Sequence, residues 1–142
     1  MSGCTFFGHR DCSESIKPKL RVVLVDLITN HGVDTFYVGH QGQFDAYVHS
    51  ALKELKQEYP QINYAVVLAY MPGKKTEYDD YSDTMLPEGI EAVHPHYAIS
   101  WRNNWMLKQS NYVVTYITHS WGGAYQYRQK ALRQSKKVVN LI

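Results

Sequence analysis

Three short apolar runs recur along the chain at a single interval, and that interval constrains the fold more than any other feature. They are Cys4-Thr5-Phe6-Phe7, Thr35-Phe36-Tyr37-Val38 and Tyr64-Ala65-Val66-Val67-Leu68-Ala69. Phe36 follows Phe6 by 30 positions (36 − 6), and Val66 follows Phe36 by 30 (66 − 36). Parallel strands need a crossover of a dozen or more residues, and a strand with its helix takes about 30. The runs are continuous rather than alternating, as strands covered on both faces require.

Helical spacing fills the gaps. Ile16, Leu20, Val23, Leu24, Leu27 and Ile28 follow the three-and-four rule of an amphipathic helix over 14–31. Pro18 falls in its first turns, where proline is tolerated, and Gly32 is placed to stop it. Ala46, Val48, Ala51, Leu52 and Leu55 mark a second helix that ends before Pro60. Residues 71–97 then break the rhythm as a polar excursion with one short helical turn, the kind of segment that serves as a lid or binding loop. Regularity returns with a helix over 99–109, a fourth strand at Tyr112–Ile117, a helix over 122–135 and a closing strand at Lys137–Ile142. The expectation is a single Rossmann-like α/β domain spanning 1–142, its mainly parallel sheet five-stranded, with helices on both faces.

Composition narrows the function classes. Fifteen Lys and Arg against 13 Asp and Glu leave a net charge of +2, too small to argue for nucleic acid or an anionic membrane. No apolar stretch approaches the ~18 residues of a membrane span, and Met1-Ser2-Gly3 does not open a signal peptide. Cys4 and Cys12 form neither a disulfide framework nor a C-x-x-C pair, so both read as reduced thiols of a cytoplasmic protein. Twelve tyrosines are more than one small core needs, and their hydroxyls call for a surface, a groove or a subunit interface.

In an open parallel sheet, ligands bind beyond the carboxyl ends of the strands, so the loops there carry the chemistry. The first is Gly8-His9-Arg10-Asp11: Gly8 allows a sharp turn, and Arg10 offers a fork of donors for phosphate or carboxylate. The bland alternative is a turn glycine beside a solvated His9 and Arg10. The second is Gly39-His40-Gln41-Gly42-Gln43-Phe44-Asp45, two glycines at the mouth of a helix. Here Asp45 either complements the helix dipole or accepts from a ribose hydroxyl. The third, Thr118-His119-Ser120-Trp121-Gly122-Gly123-Ala124, is the strongest. Paired glycines opening a helix expose successive N–H groups to an anion; the competing explanation is close helix–strand packing. It is neither a P-loop nor a dinucleotide fingerprint.

Other candidates carry less. Arg102 begins the last-but-one helix and can reach the same cleft, whereas Trp101 and Trp105 read as packing residues. His94-Pro95-His96 lacks the cysteines or carboxylates of a zinc set, so no metal is expected, and no cofactor either. No nucleophile elbow or kinase signature is present.

In order and spacing, these motifs resemble the SLOG superfamily, the Rossmann-like group of the LOG phosphoribohydrolases, the DNA-processing protein DprA and the YpsA-like proteins. The resemblance spans nearly the whole chain. It rests on Gly8-His9-Arg10, Gly39-x-x-Gly42-x-x-Asp45, Arg102-Asn103-x-x-Met106 and Gly122-Gly123, with the first two nearest the YpsA-like branch. It implies a nucleotide-sugar or ADP-ribose type of ligand held by Gly8, His9, Arg10, Gly39, Gln41, Gly42, Asp45, Arg102, Ser120, Trp121, Gly122, Gly123 and Ala124. It also implies a homo-oligomer, dimer or higher, consistent with the aromatic stretch from Tyr97 to Tyr127.

The departures from the pattern bear on catalysis. LOG hydrolases carry P-G-G-x-G-T-x-x-E, and this chain reads Trp121-Gly122-Gly123-Ala124-Tyr125-Gln126-Tyr127-Arg128-Gln129. The catalytic glutamate position holds Gln129, a neutral amide that cannot stabilise positive charge growing on a ribose. Binding therefore outranks hydrolysis: the expected function is a module that senses or sequesters a nucleotide-derived signal. If the chain is instead an N-glycoside hydrolase, Arg102 and Asp45 are its catalytic candidates, with Asp79, Asp80 and Asp83 as other carboxylates. A nucleic-acid binder is the third reading, resting on the pairs Lys74-Lys75 and Lys136-Lys137.

Overall fold

A computed structural model describes residues 2–70 and 82–142. Among these, six strands form one all-parallel sheet: β1 (Gly3–Gly8), β2 (Thr35–Val38), β3 (Asn63–Val67), β4 (Thr84–Met85), β5 (Tyr112–Tyr116) and β6 (Lys137–Asn140). Their order is β4-β3-β2-β1-β5-β6. Four α-helices, α1 (Lys17–His31), α2 (Gln43–Glu58), α3 (Ala98–Lys108) and α4 (Gly123–Arg133), cover the sheet.

The sixth strand corrects the expectation of five. Thr84 and Met85 pair with Val66 and Val67, and backbone bonds from Val66 N to Asp83 O (2.8 Å) and from Leu68 N to Met85 O (2.9 Å) extend the ladder. Two residues carry no period, so nothing local marks them as a strand; the open edge of β3 makes them one. The excursion also holds two 3-10 turns, Ile90–Ala92 and Pro95–Tyr97, where one was expected. Residues 71–81, with Lys74, Lys75, Asp79 and Asp80, lie outside the described residues.

Alternation along β1 divides the core. Cys4 and Phe6 join Leu20, Leu24, Leu27, Phe44, Val48, Leu52 and Leu55 in the layer under α1 and α2. Phe7 joins Met106, Leu107 and Ala131 in a smaller layer under α3 and α4, against which Tyr127 and Trp105 pack. The helices therefore lie on both faces, as the continuous apolar runs predict. The expected helix stop is present: Gly32 sits in the left-handed region at φ 67° and caps α1. Trp101 packs with Ile90 and Ala98, so both tryptophans of α3 serve packing. Cys4 and Cys12 are free and buried, and burial raises both thiols, Cys12 to about 11.

The order of strands fixes where ligands can enter. From β1 the chain winds one way through β2 to β4, then returns to the far side of β1 as β5 and β6. The loops after β1 and β5 therefore diverge, leaving a crevice between them.

Candidate functional site

That crevice is a cleft of about 610 Å³, within the range of small-molecule sites. Gly8, His9, Arg10 and Asp11 form one wall, and Thr118, His119, Trp121, Gly122, Gly123 and Ala124 the other. Gln41 and Asp45 close one side. Ile99, Arg102, Asn103 and Met106 close the other from one face of α3, at the three-and-four spacing that aligns helical side chains.

The β5 loop leaves from a fixed point. The Asn140 carboxamide oxygen accepts from Ile117 N (3.0 Å) and from the Thr115 hydroxyl (2.9 Å), which holds the end of the strand. The chain then reaches Gly122 at φ 94° and ψ 173°, a conformation essentially restricted to glycine. Gly122 is the N-cap of α4, and no side chain caps the helix. A Cβ on Gly123 would meet nothing within 4 Å, and one on Gly122 only His119 Cε1 at 4.0 Å. The amides of the first turn thus face open space at the positive end of the helix dipole, a seat suited to an anion.

A stack of rings joins the two loops. His9 lies on His119 with centroids 3.6 Å apart and planes 15° apart, and His119 lies on Trp121 at 3.8 Å and 19°. Burial, then the neighbouring His119, push the His9 imidazole below its usual range. His9 Nε2 and His119 Nδ1 are buried without a hydrogen-bond partner among the described residues. Trp121 ends the stack 69% exposed.

Asp45 and Arg102 both lie against Gly39. A Cβ there would stand 3.0 Å from Asp45 Oδ2 and 3.2 Å from Arg102 Nη1, so glycine at this position leaves room for both groups. Arg102 is 2% exposed; its Nη1 donates to Val67 O and its Nε to Asn103 Oδ1, each at 2.8 Å. Burial pushes the Asp45 carboxyl up to about 6, against the opposing pull of the Gln41 amide, Arg102 and Arg10. A carboxyl poised near neutrality in a cleft is a common mark of a functional site.

The remaining candidates fall elsewhere. Gly42, Gly39 and Ser120 do not line the cleft. Gly42 lies against Arg10, whose carbonyl accepts from Gln43 N (2.8 Å), so the mouth of α2 is occupied by the protein itself. Asp45 Oδ2 accepts from Gln41 N (2.9 Å), closing its own loop. Gly8 lines the cleft, yet its bareness serves packing: a Cβ would lie 2.2 Å from the Phe44 ring. Gln129 does not line the cleft, and Asp83 is engaged by His49 (2.5 Å) and the Tyr64 hydroxyl (3.1 Å). Lys136 and Lys137 border a separate depression with Ser2 and Asn111, at the amino ends of the strands. His94 Nδ1 accepts from His96 N and so caps a 3-10 turn.

His119 and Tyr127 are among the lining residues that the resemblance did not assign to the ligand. His119 alternates with Trp121 along an extended loop, a spacing that puts both on one side. Tyr127 stands one turn beyond Gly123, stacks on Phe7 at 5.1 Å and meets the Ser100 hydroxyl at 2.9 Å.

Fold and cleft together define a Rossmann-like α/β protein whose open cleft lies at the switch point of the sheet. The X-ray structure of DNA processing protein A (DprA) from Streptococcus pneumoniae has this fold, with a TM-score of 0.71 at 14% identity. The likeness covers 99% of this chain and 50% of that one, so the chain spans half the length of its solved counterpart. No protein-family profile and no curated protein matches the chain. No helix among the described residues is long and apolar enough to cross a membrane.

Proposed function

We propose that the cleft between β1 and β5 binds a nucleotide or nucleotide-derived ligand of the ADP-ribose or NAD-derivative type. On this reading the chain is a sensor or sequestering module, akin to the YpsA-like branch it resembles. The observation that carries this reading is the uncapped mouth of α4, where Gly122 and Gly123 leave the first-turn amides open to the cleft. Phosphate is the anion that such a seat suits best, because several N–H groups converge on its oxygens.

A thermal-shift series with ADP-ribose, NAD and the nucleoside monophosphates tests it, since a ligand that binds only the folded state raises the melting temperature. Stabilisation by at least one is expected, and Gly123→Pro, which deletes one amide donor, should reduce it. Indifference of the wild-type protein to the whole series would overturn the proposal.

Hydrolysis is a second reading, favoured by the Asp45 carboxyl near neutrality beside buried Arg102. Release of free base or ribose phosphate from the same ligands, abolished in Asp45→Asn, would establish it. The solved counterpart is a DNA processing protein, which makes nucleic acid a third. That reading requires affinity for single strands that falls steeply with added salt; a flat response excludes it.

A further inference from the structure

The ring stack gives the cleft a second recognition element, distinct from the amides of α4. Holding an exposed indole in such a stack costs it rotamer freedom. Among the described residues, the indole is held from one side only. His119 covers one face at 3.8 Å, and His9 backs His119 at 3.6 Å. His9 is in turn tied to the sheet, its amide donating to Tyr116 O (3.2 Å). Trp121 nevertheless stays 69% exposed and lines the cleft beside Gly122 and Gly123. Ile99, 36% exposed, is apolar surface on the α3 side of the same cleft.

A pre-ordered indole with a free face, next to an anion seat, matches a ligand with a flat heteroaromatic ring a short reach from a phosphate. We propose that Trp121 is the base platform of this cleft: the ligand's nucleobase stacks on the open face of the indole, while its phosphate meets the amides at the start of α4. This rests on the nucleotide reading above and adds to it that the base, not only the phosphate, is recognised. Stacking of this kind tolerates any base, because every base has a π-face. The stack therefore separates nucleotides from sugar phosphates rather than one base from another.

The test compares the four common nucleoside monophosphates with ribose 5-phosphate by calorimetry, in the wild-type protein, Trp121→Leu and Trp121→Phe. Loss of one base–aromatic stack weakens binding about 5- to 150-fold. The wild-type preference for nucleotide over ribose 5-phosphate should fall by that factor in Trp121→Leu and by less in Trp121→Phe, which keeps a smaller ring. Nucleotide binding should also quench indole fluorescence in the wild type and not in Trp121→Leu, where only Trp101 and Trp105 remain. Trp121→Leu retaining the full preference overturns the platform. So does a wild type that binds ribose 5-phosphate as tightly as nucleotides; in that case the phosphate seat stands. A wild type that binds none of these probes overturns the platform and the nucleotide reading together.

Discussion

The mouths of α2 and α4 have nearly the same backbone and opposite surroundings. Gly42 and Gly122 are both N-caps after a strand, at φ 91° and ψ −177° and at φ 94° and ψ 173°, and neither helix has a side-chain cap. At α2 the protein fills the space. A Cβ on Gly42 would stand 2.7 Å from Arg10 Cα, the Arg10 carbonyl takes the Gln43 amide, and Gln43 Oε1 accepts from Cys12 N (3.2 Å). At α4 the same space is cleft. Local conformation makes a helix mouth fit for an anion; the neighbouring strand decides whether one can enter. β2 lies directly beside β1, so the β1 loop folds over α2, whereas β5 lies across the switch point, where no connection among the described residues fills the helix mouth.

Substitutions at matched positions should break or sharpen this contrast. The largest effect is expected for Gly42→Ala, which adds left-handed strain to a backbone collision and should cost about 3–5 kcal/mol in urea unfolding. Gly122→Ala carries the strain alone, about 1–3 kcal/mol. Equal losses at the two sites would show that α4 is as closely packed as α2.

Proline at the first helical position makes a finer test, because that position suits its fixed φ. Gln43→Pro removes the bond to Arg10 O and the Gln43 side-chain bond to Cys12 N, so a loss of about 1–3 kcal/mol is expected. Gly123→Pro removes an amide with no partner among the described residues, and unfolding should shift by less than about 0.5 kcal/mol while ligand stabilisation drops.

A pH-dependent test concerns Asp45, which closes the α2 mouth at the edge of the cleft. Its carboxyl is raised from 3.8 to about 6 in the folded state, so the folded protein holds this proton more tightly than the unfolded chain does. The stabilisation is complete below about pH 4 and lost as pH rises through about 6. Asp45→Asn does not titrate, so its stability relative to wild type should rise across that window, by on the order of 1–3 kcal/mol in total. A difference that is flat between pH 4 and 7 would show that Arg102 compensates the buried carboxylate fully.

Much of the fold was legible because it is local and periodic. Phe6, Phe36 and Val66 set the repeat, and Gly32 marked a helix end that the structure places at φ 67°. Thr84–Met85 was not legible, because two residues have no period and become a strand only against Val66 and Val67. In the candidate site, glycine spacing picked out both helix mouths and favoured that of α4, but gave no sign that Arg10 fills the other. It likewise gave no sign that Gly8 makes room for Phe44, or that Gly39 makes room for Asp45 and Arg102.

The order of apolar runs and helix punctuation, written in the chain itself, determined a parallel sheet wrapped by helices and the loops where a ligand would be sought. Which loop stays open was decided in three dimensions. His9 and His119 are 110 positions apart (119 − 9) and become stacked rings only when β5 lies beside β1. Arg10 fills one helix mouth and leaves the other free for the same reason: contacts between distant segments depend on strand order, and strand order is not encoded in any local window.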